Sequence, residues 1–190
     1  MFGIVLAGGE SRRMGSDKAL MVVDGMPMWK RQVAVLSEAG AARVVVVRRP
    51  EQAPIDHPDC AFDLYRGRGP LAGIHAGMAQ CADALAAVLA VDMPGIDAGW
   101  FRWLAALCGD GGAAGSVDGR VEPLAAIYPA GSLAVVTARL ERGELSVAAL
   151  AHALSAAGRM AILPAPKAYR GRVASLNEPA SPSAPRDGCS

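Results

Sequence analysis

The segment Phe2-Gly3-Ile4-Val5-Leu6-Ala7-Gly8-Gly9 places a short apolar run directly before a pair of glycines. A run of this length and composition is typical of a strand buried on both faces of a sheet. Glycines that follow such a strand let the backbone turn sharply and bring its N–H groups close to a ligand. We therefore predict a β-strand at the start of the chain that ends in a ligand-binding loop over residues 7–18.

Further apolar runs follow along the chain, separated by segments with helical spacing. Valines fill positions 44–47, and every residue from 85 to 91 is apolar. Alternation of such strands with helices predicts an α/β fold, in which a parallel sheet carries helices on both faces. The predicted strands are 2–6, 43–47, 60–62, 85–91, 111–117, 122–128 and 160–163. The predicted helices are 27–39, 71–81, 98–107, 133–140 and 146–156.

The length of 190 residues suits one domain with a sizeable core. Beyond Pro164 the chain becomes rich in proline, serine and alanine. Such composition buries little apolar surface. We expect a single domain over residues 1–178 and a disordered tail over residues 179–190.

Composition excludes several classes of protein. The net charge of +1 leaves no basic field for nucleic acid. The four cysteines are scattered, and neither they nor the three histidines show metal-ligand spacing. No signal peptide and no apolar stretch of about 20 residues is present, so we expect a cytoplasmic protein without membrane association.

In a parallel α/β sheet, ligands bind beyond the carboxyl ends of the strands. This rule selects the loop at 7–18, the segments 47–49 and 63–69, and Asp92 directly after a strand. The first loop also carries the cations Arg12, Arg13 and Lys18. Glycines together with cations suit a triphosphate. The spacing matches neither the Walker A loop, nor Gly-x-Gly-x-x-Gly, nor the Gly-x-Ser-x-Gly of serine hydrolases.

The remaining candidates each allow a structural alternative. Asp92 could ligate Mg²⁺, or it could cap a helix or form an ion pair. Asp63 could contact a ligand or only a turn. The segment Gly69-Pro70-Leu71-Ala72-Gly73 could pack a base or ribose against its backbone, or simply lead into a helix.

The stretch Leu6-Ala7-Gly8-Gly9-Glu10-Ser11-Arg12-Arg13-Met14-Gly15-Ser16-Asp17-Lys18-Ala19-Leu20 resembles the signature loop of the molybdenum cofactor guanylyltransferase (MobA) family. Three further blocks of that family follow in the same order, and the resemblance covers roughly residues 2–177. These blocks are Gly69-Pro70-Leu71-Ala72-Gly73, Val91-Asp92-Met93-Pro94 and Glu122-Pro123-Leu124.

The resemblance implies a Rossmann-like, three-layer αβα fold whose mostly parallel sheet has one antiparallel strand. It implies Mg²⁺-dependent transfer of GMP from GTP to the phosphate of molybdopterin. Lys18 and Arg12 would hold phosphates and Asp92 would ligate Mg²⁺, which makes these three the catalytic candidates. The other implied nucleotide-binding residues are Leu6, Ala7, Gly8, Gly9, Asp63, Gly69, Pro70 and Leu71, and the implied acceptor-binding residues are Glu122 and Asn177.

Two positions depart from the family pattern. The family often carries an asparagine after its second strand, where this chain has Val47-Arg48-Arg49. Near the C-terminus the family shows Asn-x-Asn-Thr-Pro, whereas Ser175-Leu176-Asn177-Glu178-Pro179 retains one asparagine. Base and acceptor recognition are the functions that these positions affect.

Three alternatives stay open beside guanylyl transfer. The chain could be a molybdopterin cytidylyltransferase, a sugar-phosphate nucleotidyltransferase, or a nucleotide-binding module without catalysis. The resemblance also suggests molybdenum-insertion proteins or molybdoenzyme chaperones as partners, and we expect a monomer or a weak oligomer.

Overall fold

The computed structural model describes residues 1–8 and 17–173. The predicted site residues Gly9, Arg12 and Asn177 lie outside these ranges, as do Cys189 and the predicted boundary at 178. The strands are β1 (Phe2–Leu6), β2 (Val22–Val23), β3 (Met26–Pro27), β4 (Arg43–Arg48), β5 (Cys60–Phe62), β6 (Leu85–Ala90), β7 (Gly112–Val117), β8 (Arg120–Pro129) and β9 (Met160–Pro164). The helices are α1 (Met28–Glu38), α2 (Gly69–Met78), α3 (Ala98–Leu107), α4 (Leu133–Arg142) and α5 (Val147–Ala156).

Seven strands form one sheet in the order β5-β4-β1-β6-β8-β7-β9. β1 pairs in parallel with β4 on one side and with β6 on the other. β8 runs antiparallel to both of its neighbours, β6 and β7, while β7 and β9 are parallel. The predicted Rossmann-like sheet with one antiparallel strand is therefore confirmed.

Helices cover the sheet on both faces, each over its own core. Helices α2, α4 and α5 contribute Leu71, Val136 and Leu150 to one core, together with Ile4 from β1. Helices α1 and α3 contribute Leu36 and other side chains to the second core, which also contains Val5. Successive residues of β1 thus point into opposite cores, which explains why this strand is apolar throughout.

A small hairpin formed by β2 and β3 was not predicted from the sequence. Its turn residues Asp24 and Gly25 have φ of 52° and 78°. Positive φ at both central residues is the requirement of a type I′ turn, for which Asp-Gly is a favoured pair. The flanking strands have only two residues each, so they give no periodic signal. The strands predicted at 111–117 and 122–128 are confirmed as the antiparallel pair β7 and β8, which Asp118-Gly119 connects.

Trp100 of α3 lies fully buried between the helix and β7. Its Nε1 donates a hydrogen bond to Ala125 O of β8 at 2.7 Å. A Cβ added to Gly115 of β7 would lie 2.3 Å from the indole ring, so the ring occupies the space that any larger residue needs. Trp29 of α1 is also buried, whereas Trp103 of α3 is half-buried.

The substitution Gly115→Ala is expected to lower the free energy of unfolding by about 2 kcal/mol, because overpacking forces a buried ring to move. Urea unfolding measures this directly. Gly131→Ala is the matched control, since the nearest atom to its new Cβ is the end of the flexible Arg159 side chain at 3.3 Å. Equal stability of the two variants would contradict the packing described for Trp100.

Candidate active site

A cleft of about 570 Å³ opens at the edge of the sheet where β1, β4, β5 and β6 end. Because β8 runs in the opposite direction, its first half reaches the same edge. This is the edge at which doubly wound sheets bind ligands. The cleft is lined by Leu6, Ala7, Gly8, Lys18, Val47, Arg49, Asp63, Gly67, Gly69, Pro70, Gly73, Ala90, Val91, Asp92, Met93, Glu122, Pro123, Leu124 and Val173.

Lys18 reaches the cleft from a single 3₁₀ turn, Lys18–Leu20, that follows the glycine-rich stretch. Asp17 caps this turn, since its Oδ1 accepts a hydrogen bond from Ala19 N at 3.0 Å. Gly8, at the beginning of the same stretch, also lines the cleft. The structure therefore brings the two ends of the predicted ligand-binding loop to one site.

Asp92 follows β6 and lies opposite Lys18. Lys18 Nζ and Asp92 Oδ2 are 3.7 Å apart, and the two side chains are only 12% and 19% exposed. Partial burial reduces the screening of this pair by solvent. The site thus combines a cation suited to phosphate with a carboxylate suited to a divalent metal ion.

The backbone around Asp92 is held by α1. Gln32 is fully buried, and its Nε2 donates to Ala90 O at 3.3 Å and to Met93 O at 3.0 Å. Arg31 Nη2 donates to Pro94 O at 3.3 Å. Because buried carbonyls are costly to leave without donors, these contacts fix the chain on both sides of Asp92.

Asp63 follows β5 on the opposite wall of the cleft. Its Oδ1 accepts a hydrogen bond from Tyr65 N at 2.8 Å, so Asp63 makes the contact expected of a turn residue. Burial raises the pKa of the Asp63 carboxyl, although this hydrogen bond and the nearby His75 oppose the rise. Burial also lowers the pKa of His75, against the opposing effect of Asp63. Asp63 is therefore both a turn residue and part of the cleft wall.

Helix α2 begins at the cleft with Gly69 and Pro70. Gly69 has φ of 65°, a conformation that favours glycine, and Pro70 suits the first turn of a helix. A Cβ on Gly73 would lie 3.1 Å from Leu6 Cδ2, so α2 packs closely against the end of β1. Leu71 differs from the other predicted residues of this block, because its side chain is fully buried in the core and does not form the wall.

The far wall is formed by Glu122, Pro123 and Leu124 of β8. The hydroxyl of Tyr128, a residue whose ring is fully buried, donates to Pro123 O at 2.8 Å. Burial raises the pKa of Tyr128, so the phenol stays protonated and able to donate. Together with the Trp100 contact to Ala125, this hydrogen bond fixes the backbone of the far wall.

Residues 169–173, the last residues that the structure describes, contact the segment that follows Asp92. Asp97 accepts hydrogen bonds from Tyr169 Oη at 2.9 Å and from Arg172 Nη2 at 2.7 Å. A Cβ on Gly95 would lie 2.1 Å from Arg172 O, which shows how closely the two segments approach. Val173, the next residue, is buried and completes the cleft wall.

The two arginines that stand where the related family often has asparagine take different positions. Arg48 is buried, donates to Ala53 O through Nη2, and lies 3.7 Å from Asp17 Oδ2. Arg49 lines the cleft. The departure from the family pattern therefore places one arginine in the supporting structure and one in the site.

Comparison with known proteins shows the family of the chain. A family model described as "MobA-like NTP transferase domain" matches residues 3–157, which is most of the chain. The chain belongs to the MobA-like NTP transferase family. A relative from Opitutus terrae, named "Probable molybdenum cofactor guanylyltransferase", is 48% identical over 183 residues, covering 93% of this chain and 90% of that protein.

Solved structures show the same fold. Molybdopterin-guanine dinucleotide biosynthesis protein A from Archaeoglobus fulgidus aligns with a TM-score of 0.66 at 22% identity, covering 90% of this chain and 86% of the other. The 2-C-methyl-D-erythritol 4-phosphate cytidylyltransferase from Thermus thermophilus aligns with a TM-score of 0.67 at 19% identity, covering 94% and 93%. Among residues 1–8 and 17–173, no helix is long and apolar enough to cross a membrane.

Two residues that line or support the site, Val173 and Gln32, could not be assigned to it from their local sequence. Val173 lies at the cleft because its segment is hydrogen-bonded to Asp97, which is distant in sequence. Gln32 lies inside a helix and would be assigned to a solvent-facing position by its polarity. Both could be recognised only once the positions of β6 and α1 were known.

The Asp97 contacts are expected to make stability depend on pH. Burial opposes ionisation of Asp97, but the hydrogen bonds from Tyr169, Arg172 and Trp100 N outweigh it, and the pKa is lowered. Ionised Asp97 therefore stabilises the fold fully above about pH 4, which is the pKa of an aspartate in the unfolded chain. This stabilisation is lost as the pH falls to the lower pKa that Asp97 has in the folded protein. The difference in free energy of unfolding between wild type and Asp97→Asn should stay constant from about pH 7 to 5 and narrow below about pH 4.

Urea unfolding over a pH series measures this difference. Asp110→Asn, at an exposed position, controls for the loss of one negative charge. A difference for Asp97→Asn that does not change down to about pH 3 would contradict the assignment.

Proposed function

We propose that this MobA-like family member transfers GMP from GTP to the phosphate of molybdopterin and releases pyrophosphate. The observation that carries the proposal is the convergence of Gly8, Lys18 and Asp92 at one end of a cleft whose far wall contains Glu122. The name of the Opitutus terrae relative, which is 48% identical over nearly the full length, supports the choice of donor and acceptor.

In this proposal, the two substrates bind against opposite walls of the cleft. GTP would lie against residues 6–8 and the beginning of α2, with its ribose and base near Asp63. The acceptor would enter along Glu122 and the neighbouring residues of β8. Asn177, implied as a second acceptor contact by the resemblance, lies outside the described residues.

The proposed step is an in-line attack on the α-phosphorus of GTP. An oxygen of the acceptor phosphate forms a new P–O bond, and the bond between the α-phosphorus and the bridging oxygen of pyrophosphate breaks. The leaving pyrophosphate takes the electron pair. Since the nucleophile is already anionic, positioning and neutralisation of charge matter more than a general base. Lys18 would stabilise the charge on the leaving group, with Arg12 assigned the same role by resemblance.

The donor groups of the site fit Mg²⁺ that is bound together with a nucleotide. Mg²⁺ commonly takes one or two protein carboxylates and completes its coordination with substrate phosphates and water. Asp92 supplies one carboxylate at the cleft, and no cluster of three potential metal ligands exists among residues 1–8 and 17–173. Bound there, Mg²⁺ would polarise the α-phosphoryl group and neutralise phosphate charge.

A cytoplasmic location is part of the proposal. The described cysteines Cys60, Cys81 and Cys108 are free thiols, which agrees with a reducing compartment.

Removal of either charged group is expected to slow the reaction without unfolding the protein. Asp92→Ala and Lys18→Ala should each lower turnover by about two orders of magnitude, because a preorganised contact of this kind is worth roughly 3 kcal/mol in the transition state. Lys30→Ala, at an exposed position of α1, is the matched control and should keep full turnover. Near-wild-type turnover of both site variants would contradict the assignment.

The identity of the substrates is tested by pyrophosphate release with Mg²⁺ and each NTP in turn, with and without molybdopterin in its metal-free and metal-loaded forms. Release that requires both GTP and the pterin is the expected result. Release with CTP, or with a sugar phosphate as acceptor, would assign one of the sister activities instead. The shared fold of the Thermus thermophilus cytidylyltransferase makes CTP the alternative donor to test first. No release from folded protein would indicate a nucleotide-binding module without catalysis.

A further inference from the structure

Gln52 connects the two ends of the glycine-rich stretch. Its Nε2 donates one hydrogen bond to Ala7 O at 2.9 Å and another to Asp17 Oδ2 at 2.9 Å. Ala7 immediately precedes Gly8, and Asp17 immediately precedes Lys18. One side chain thus contacts the residues that directly precede Gly8 and Lys18, and both Gly8 and Lys18 line the cleft.

The orientation of the Gln52 amide is fixed by its surroundings. Its Oε1 accepts a hydrogen bond from Arg49 N at 2.7 Å. A reversed amide would place oxygen against two acceptors and nitrogen against a donor, so only the present orientation satisfies all three contacts. Gln52 therefore ties the end of β4 to both sides of the loop after β1.

The local sequence explains how Gln52 reaches this position. After β4 the chain makes a turn in which Gln52 N donates to Arg49 O at 3.2 Å. Pro50 occupies the second position of this turn, where its fixed φ is favoured. The turn folds Gln52 back towards the carboxyl end of β1, since β1 and β4 are neighbouring parallel strands.

Both carboxylate oxygens of Asp17 have partners. Its Oδ1 caps the turn that carries Lys18, while its Oδ2 accepts from Gln52 and faces the guanidinium of the buried Arg48 at 3.7 Å. Loss of the Gln52 contact removes the 2.9 Å hydrogen bond to Asp17 Oδ2 and so weakens the restraint on the turn that Asp17 caps. The position of Lys18 would change with it, because Lys18 is the next residue.

The geometry points to Gln52 as a positioning residue that fixes Lys18 and Gly8 relative to each other, and so prepares the site for the phosphates of a nucleotide. Gln52 acts through its hydrogen bonds to Ala7 and Asp17, the residues that directly precede Gly8 and Lys18. The inference rests on the proposed function in one respect: it takes the ligand to be a nucleoside triphosphate.

Two variants at this position separate positioning from general stability. Gln52→Leu removes all three side-chain hydrogen bonds at similar size. Gln52→Glu keeps the acceptor for Arg49 N but places a carboxylate against Ala7 O and the carboxylate of Asp17. The carboxylate of Asp17 raises the pKa of the introduced carboxyl, against the opposing effect of the Arg48 guanidinium, so acid restores one donor to this variant. Gln80→Leu, at an exposed glutamine after α2, is the matched control.

The first readout is the affinity for GTP with Mg²⁺, measured by titration calorimetry at pH 8 and at pH 5.5. Gln52→Leu should bind about tenfold more weakly than wild type at both pH values, and Gln80→Leu should bind as wild type does. Gln52→Glu should be the weakest at pH 8 and should recover, relative to wild type, at pH 5.5. Wild-type affinity in Gln52→Leu, or no recovery in Gln52→Glu, would overturn the inference.

The second readout needs no ligand. Asp17 Oδ1 protects Ala19 N, so amide hydrogen exchange over residues 17–20 should be several-fold faster in Gln52→Leu and unchanged in Gln80→Leu. Unchanged exchange in Gln52→Leu would overturn the inference whatever the ligand. If wild type shows no GTP binding while exchange responds as expected, the proposed nucleotide fails and the positioning role stands.

Discussion

The central strand β1 determines where every other part of the site can lie. It is buried on both faces and is hydrogen-bonded in parallel to β4 and to β6. Because parallel strands end at the same edge, this pairing brings together the loop after β1, the turn after β4 and Asp92 after β6. The antiparallel β8 contributes its beginning to the same edge, so one constraint on hydrogen bonding gathers residues that are far apart in sequence.

At this edge of the sheet, backbone carbonyls and charged groups need hydrogen-bond partners, which buried and partly buried polar side chains provide. Gln32 holds the carbonyls around Asp92, and Gln52 holds the ends of the glycine-rich stretch. The separation of 3.7 Å between Lys18 and Asp92 is longer than a good hydrogen bond, so these groups attract each other mainly through charge. When a nucleotide binds with Mg²⁺, Lys18 would contact a phosphate and Asp92 would contact the metal ion, and these contacts would replace their mutual attraction.

Local patterns in the sequence were enough to predict the main strands, the helices on both faces and the ends of the strands as the place of the site. Apolar runs such as 85–91 carry this information, because burial on both faces leaves a continuous signal. The predicted residues Leu6, Ala7, Gly8, Lys18, Asp63, Gly69, Pro70, Asp92 and Glu122 all line the cleft. Contacts between distant segments could not be predicted in this way: Val173, Gln32 and Gln52 join the site through tertiary packing, and the side chain of Leu71 turned to the core.

A crystal structure of the protein with Mg²⁺ and a non-hydrolysable GTP analogue tests the central claim most directly. The account predicts phosphates against Gly8 and Lys18, the metal ion on Asp92, and the nucleoside beside Asp63 and the beginning of α2. Phosphates bound away from Lys18, or a metal ion held without Asp92, would contradict the assignment of this cleft as the nucleotide site.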